Sequence, residues 1–350
     1  MDQTPGREET SGLPFRGVTC RLVLAALGLL LGQTAGAGDD VVHYRTDGGM
    51  RQLAGEIVRY NRREIVVRTS GGRETTVAAD RVAEIDSAWH PAEREADALF
   101  QQRRFDEALD RYRAALGAER RRWVQQRLVA GTVRCYQRLD QVVPAVQSFL
   151  ALVRDDPQTP YFDAIPLCWL PVQPAPTVER EAQAWLGSDE PAAQLLGASW
   201  LLATRERPAA AAGLARLAAA PALNAQLRGL AAAQAWRTRV ATAGPEEVAR
   251  WQSAVASLPR ELQAGPYFLI GQALARGGQP DQAALALLRV PILYPDQSQL
   301  AAEALLAAAG QLKSAGHAAE AEALLRELVA RHADTTAADQ ARAQLERPAP

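Results

Sequence analysis

Residues 96–115 read ADALFQQRRFDEALDRYRAA, and the spacing of small and large apolar residues in this stretch decides the fold. Ala96 and Leu99 share a face of one helix, and Phe105, Ala108, Tyr112 and Ala115 share a face of a second. Tyr112 follows Ala108 by four residues, so its ring lies over that alanine. The pattern returns 37 residues after Ala108 as Ala145, Phe149 and Leu152, and Pro157, twelve residues past Ala145, ends the helix. Near the C-terminus Gly271, Ala283, Leu287, Val290 and Pro295 hold the corresponding positions, with Pro295 again twelve residues past Ala283. A further unit, offset by 38 residues, carries Ala309, Gly316, Ala321, Leu325 and Leu328. Gly277-Gly278 and Gly316-His317 fall at the turns between helices, where glycine supplies left-handed backbone.

In this register the units resemble tetratricopeptide repeats, whose standard length is ~34 residues. The resemblance covers residues 91–157 and 265–346. It implies that Ala96 is the small residue at which the partner helix crosses and that Phe105 fills the turn. It also implies that Ala108 admits the second helix to ~8–10 Å. Tyr294-Pro295-Asp296-Gln297-Ser298, followed by an Ala-rich helix, is similar to the repeats of bacterial envelope tetratricopeptide proteins such as the periplasmic Tol–Pal coordinator and the outer-membrane assembly lipoprotein. The chain lacks the first-helix Trp of the consensus and has a longer period. The fold so implied is mainly α, a helical-repeat solenoid, and the implied activity is binding of a protein or peptide; such repeats serve many unrelated partners. One helix pair burying about six large side chains gains on the order of 10 kcal/mol gross. Ordering ~35 residues costs at least as much, so an isolated repeat is not expected to fold and stacking must supply the stability.

Ahead of the helices, residues 38–88 read as five short strands closed into a small barrel, SH3-like or Sm-like. Val41–Tyr44 precedes a turn at Thr46–Gly49; Leu53–Tyr60 is a second strand bent at Gly55; Glu64–Arg68 and Arg73–Val77 flank a Gly71-Gly72 hairpin; Ala83–Ile85 closes the set. Arg59, Arg62, Arg63 and Arg68 suggest an RNA-binding face or, alternatively, solvated strand faces, but the segment lacks the acidic-asparagine loop of RNA-binding Sm proteins. Between the two repeat arrays, residues 158–178 carry five prolines among Tyr161, Phe162, Ile165, Trp169 and Leu170, too apolar for a free linker; the composition predicts a packed loop. Residues 179–258 read as divergent helical hairpins, with Pro191, Pro208, Pro221 and Pro245 near first helical turns.

At the N-terminus, Arg16 and Arg21 precede an apolar run from Leu22 to Leu31, and Ala35-Gly36-Ala37 is a small-x-small cleavage site. Residues 1–37 therefore read as a secretory signal cleaved after Ala37, with an uncleaved anchor as the alternative. The run is too short for a bilayer span of roughly twenty residues, so membrane association is expected to be peripheral or through that anchor. A periplasmic or otherwise exported location follows. Cys135 and Cys168 remain, and two readings stay open: a disulfide in an oxidising compartment, or two buried free thiols.

Composition narrows the chemistry. Of 350 residues, 39 are basic and 40 acidic, for a net charge of -1; Lys313 is the single lysine. That balance gives no global field for nucleic acid or an anionic membrane. The four histidines lie at no metal-ligand spacing, and HExxH, CxxC, G-x-S-x-G and phosphate-loop patterns are absent from the sequence. No catalytic residue, cofactor, metal or small-molecule substrate is expected. The densest basic run, Arg120-Arg121-Arg122, with Arg103-Arg104 in the preceding turn, reads as a contact for an acidic partner or as a solvated helix start. The leading expectation is a non-enzymatic exported scaffold that binds a cell-envelope protein. The rivals are a hydrolase-like envelope enzyme, with His43 or His90 converging on two acids between barrel and solenoid, and nucleic-acid binding by the barrel.

Overall fold

Strands β1 (Asp40–Thr46), β2 (Gly49–Tyr60), β3 (Glu64–Arg68), β4 (Glu74–Ala78) and β5 (Val82–Asp86) form an antiparallel sheet in the order β4-β3-β2-β1-β5. The computed structural model describes residues 40–346, so the expected signal segment 1–37 lies outside the described residues. β2 holds the sheet together by changing partners along its length. Its first half pairs with β1 as far as Gly55, and its second half pairs with β3 from Glu56 onward. The change falls at Gly55, where φ is 154° and a Cβ would lie 2.3 Å from the Arg68 carbonyl oxygen, so only glycine fits the expected bend. β2 begins four residues before the expected Leu53, because Gly49–Gln52 are all exposed and carry no alternation to read. A 3-10 turn at Ala79–Arg81 leads into β5.

Fourteen helices follow among the described residues. They are α1 (Pro91–Gln101), α2 (Phe105–Ala118), α3 (Arg122–Arg138), α4 (Val142–Asp155), α5 (Pro176–Leu186), α6 (Pro191–Leu201), α7 (Arg207–Ala219), α8 (Ala225–Trp236), α9 (Pro245–Ala256), α10 (Ala264–Arg276), α11 (Pro280–Leu293), α12 (Ser298–Ser314), α13 (Ala318–Arg331) and α14 (Thr336–Leu345). Most pack against the next helix in the chain. None is long and apolar enough to cross a membrane. Proline sits in the first turn of α1, α5, α6, α7, α9 and α11, where the missing N–H has no helical partner in any case. Pro221 departs from the expected pattern. It lies in the turn before α8, and Asn224 caps that helix by accepting from the Leu227 amide at 2.8 Å. α2 runs through Gly117 to Ala118, which leaves Arg120 and Arg121 outside α3 and Arg122 as its first residue.

Four turns between successive helices share one backbone conformation. Arg103, Asp140, Gly278 and Gly316 have φ of 63, 54, 70 and 90°, and each stands five residues before a buried alanine: Ala108, Ala145, Ala283 and Ala321. A left-handed residue reverses the chain, and the alanine lets the second helix close on the first. The other register positions Ala96, Tyr112, Phe149 and Gly271 are buried, whereas Phe105 is half-buried and Pro157, Pro295 and Gly316 are exposed at turns. Crossings outside these turns are as close. A Cβ on Gly197 of α6 would lie 2.5 Å from both the Ala182 carbonyl oxygen and the Leu186 amide of α5, and one on Gly271 would lie 2.5 Å from the Leu287 side chain of α11.

Two features tie the elements into a body. The sheet has no core of its own: Val42, Ile57, Ile65, Val67 and Val77 share one apolar cluster with Ala96, Leu99, Trp123 and Leu128 of α1 and α3. The proline-rich segment 158–175 is packed as expected, with Phe162, Ile165 and Cys168 buried. Ser199 accepts from the Cys168 amide at 2.9 Å and donates to its carbonyl at 3.1 Å, and Trp200 Nε1 donates to the Pro166 carbonyl at 3.0 Å. Arg237 completes the anchorage from α8's end, donating to the carbonyls of Cys168, Ser199 and Leu170 at 2.7–2.9 Å. Cys135 and Cys168 are both free and buried, which resolves the two readings in favour of thiols.

The glycine contacts yield a paired test. Gly197→Ala forces a methyl into α5 backbone and is expected to destabilise by about 1–3 kcal/mol. Gly310→Ala in α12 meets nothing within 4 Å and is expected to stabilise by up to about 1 kcal/mol. Urea unfolding of the two variants checks this; destabilisation of similar size in both contradicts the crossing geometry.

Candidate functional site

A concave chamber of ≈ 830 Å³, open on one side to solvent, lies between helices from both ends of the chain. Phe100, Tyr112 and Gly131 form the wall nearest the sheet; Ile165, Trp169 and Trp200 contribute the segment that crosses the middle; and Leu293, Tyr294 and Leu300 close it from the α11–α12 turn. Its volume lies within the ≈ 300–1,000 Å³ range of ligand sites, and its surface mixes aromatic side chains with a few placed charges. Gly265 is required where α10 meets the crossing segment, since a Cβ there would lie 2.0 Å from the Trp169 ring. A second cavity of ≈ 600 Å³ lies behind Trp169, against α8 and α10.

Two ion pairs line the chamber, whereas Asp140, Arg260, Glu261 and Asp296 on its lining make no ion pair among the described residues. Asp97 accepts from Tyr112 Oη at 2.5 Å and from Arg127 Nη2 at 2.7 Å, and Arg127 stacks over the Trp89 ring at 4.4 Å. Burial, then the bond to Asp97, holds the Tyr112 phenol protonated far above its ordinary value. Arg134 donates to Asp163 at 2.8 Å. Arg138 differs: it stacks over Phe105 at 4.4 Å and donates to the Asp296 carbonyl at 3.3 Å, but pairs with no carboxylate among the described residues. Burial lowers its pKa, as does the neighbouring Arg103.

The five arginines expected at a partner contact do not act as one patch. Arg103 pairs with Asp334, and Arg104 with Glu107 of its own helix. Arg121 turns inward to the sheet, donating to Asp40, Ser87 and the Ala88 carbonyl, and to Glu119, whose carboxyl it holds down at about 2. Arg122 forks onto Asp155 at the end of α4. Arg120 donates through its backbone amide to Glu119. On the sheet, Arg59 pairs with Glu64 and Arg68 with Glu56 and Glu74, Arg62 reaches the neutral Gln226 of α8, and Arg63 makes no ion pair among the described residues.

The histidines are dispersed. His43 Nε2 lies 3.1 Å from one acid, Asp86; His90 Nδ1 accepts from the Ala92 amide at the start of α1; His317 approaches Asp281 at 3.4 Å; and His332 bonds Ser298 at 3.0 Å. Burial and nearby arginines lower the pKa of His332, whose ring is buried. Among the described residues no group of three His, Cys, Asp or Glu is placed to hold a metal ion.

Sequence reasoning missed Glu93. Its position in the first turn of α1 suggests a solvated dipole partner, yet only 1% of the residue is exposed, and no donor is aligned to either carboxylate oxygen. Arg127 Nη1 lies 3.3 Å away. Burial raises the Glu93 pKa to about 7 against the pull of Arg127, with Asp97 and Glu119 adding to the rise. A scan against known protein families finds no match to this chain, and no curated protein matches it.

Since the folded-state pKa of Glu93 lies above its unfolded value, the cost of burying its charge is absent while the carboxyl is protonated, and stability falls as pH rises from about 4.5 through about 7. Glu93→Gln, which stays neutral, is therefore expected to be more stable than the parent by about 2–3 kcal/mol at pH 8 and nearly equal to it at pH 4.5. Denaturant unfolding at the two pH values checks this; an advantage independent of pH contradicts it.

Proposed function

We propose that this protein is an exported, non-enzymatic scaffold of the tetratricopeptide kind, a helical-repeat solenoid behind a small closed barrel. Its chamber takes a peptide segment of a cell-envelope protein. The observation that carries the reading is the chamber itself. It combines aromatic walls, two ion-paired carboxylates (Asp97 and Asp163), and two arginines, Arg138 and Arg260, without a carboxylate partner among the described residues. Peptide recognition needs that combination: apolar pockets for side chains, and a donor such as Arg138 for a backbone carbonyl or a carboxylate. Nucleophilic or general acid–base catalysis needs a titratable pair within reach of bound substrate, and Asp97 and Asp163 already accept from neighbouring arginines. The sequence supports the location through its arginine-flanked apolar run and Ala35-Gly36-Ala37.

Site-specific photocrosslinking tests the proposal. Val172 and Leu293 are exposed apolar residues that line the chamber, whereas Met50 and Leu285 are exposed apolar residues outside it. A photoreactive side chain at either of the first two positions is expected to yield one discrete adduct with an envelope protein in intact cells. The same group at Met50 or Leu285 is expected to yield none. Equal adducts at all four positions, or adducts confined to the outer two, would overturn the assignment.

A further inference from the structure

The first and last parts of the helix series touch through polar side chains. Arg103, in the α1–α2 turn, donates from Nη2 to both carboxylate oxygens of Asp334 at 2.6 and 2.7 Å and from Nη1 to the Arg331 carbonyl at 3.2 Å. In the α3–α4 turn, Asp140 accepts from Gln299 Nε2 at 2.8 Å, and nearby Arg138 donates to the Asp296 carbonyl at 3.3 Å. These partners are 158 to 231 positions apart in the chain. The apolar cluster around the sheet and α1–α3 shares no residue with the one that binds α12 to α14.

Backbone conformation supplies a second, independent observation. Arg103 and Asp140 are the two non-glycine residues with left-handed φ among those described. At the equivalent turns of the C-terminal units that conformation is taken by Gly278 and Gly316. A residue with a Cβ is strained there, arginine more than aspartate. Strain of this kind persists where the side chain's contacts require it, and here each side chain reaches a residue of the C-terminal helices, Asp334 outside the chamber's lining and Gln299 on it. Arg138, Asp140, Asp296 and Gln299 also line the chamber. The Arg103–Asp334 pair is exposed to solvent, so its attraction is weak and screened by salt. It suits a contact that opens and recloses.

We propose that these contacts form a reversible clasp between the two ends of the helix series, holding together the chamber's walls in the free protein and opening to admit the partner segment. The admitting role rests on the chamber being a docking site; the clasp itself does not.

Pulsed dipolar spectroscopy on the full chain tests the clasp without any partner. Nitroxides are placed at Asp110→Cys in α2 and Gln340→Cys in α14, both exposed, while the buried Cys135 and Cys168 are left in place. The parent is expected to show one dominant short distance at low salt. Arg103→Gly, which relieves the strained φ and so should fold, and Asp334→Asn, which keeps the side chain's shape, are each expected to raise the long-distance fraction about 3- to 5-fold. Molar NaCl acting on the parent is expected to move it the same way. Distance distributions unchanged in both variants would overturn the clasp. A shifted distribution combined with failed photocrosslinking would keep the clasp and remove only its role in docking.

Discussion

Where two helices cross at a residue with no side chain or only a methyl, their backbones come into contact, and the rest of this molecule is arranged around such crossings. Gly197 on α5, Gly271 on Leu287 and the alanines at positions 108, 145, 283 and 321 are the points of closest approach. Helices this short have little stability of their own. Each gains it by lying close enough to its neighbour for the flanking leucines and aromatics to be buried, as Phe149, Leu195, Leu269 and Leu287 are. The left-handed turn residues set that distance, because they decide how soon the chain returns.

The chain's reliance on arginine fits the same construction. Arg121 pins the sheet to α3 through Asp40, Arg237 fastens the crossing segment through three backbone carbonyls, and Arg127 bridges Asp97 and the Trp89 ring. A planar guanidinium serves several acceptors at once and stacks on an aromatic face, which a lysine ammonium cannot do as well. Near-neutral net charge therefore conceals a dense internal network. Glu93 is its weak point, a buried carboxylate beside a guanidinium already committed to Asp97.

Much of this was legible in the sequence, and the omissions share a cause. Period-3.6 patterning placed the repeat helices, glycines at 277–278 and 316 marked two of the four turns, and the aromatics of 160–170 predicted a packed segment. Arg103 and Asp140 could not be recognised as left-handed, since residue type announces that conformation only when it is glycine. The first half of β2 carries no apolar alternation because both of its faces are exposed. The Arg103–Asp334 and Asp140–Gln299 contacts join turns more than 150 residues apart, and local patterning has no access to such pairs. The five arginines were legible as a charge run, but three of them, Arg103, Arg121 and Arg122, meet acids far along the chain, Asp334, Asp40 and Asp155.

The arrangement amounts to a concave surface whose walls are contributed by widely separated turns, and the proposed occupant is an extended segment. Amide hydrogen exchange, run on the protein alone and on its crosslinked complex, measures this most directly. Slowed exchange in the crossing segment around Leu167–Val172 and in the α11–α12 turn, with the sheet unchanged, is the result the account predicts. Protection confined to the sheet or to the outer face of α11 would contradict it.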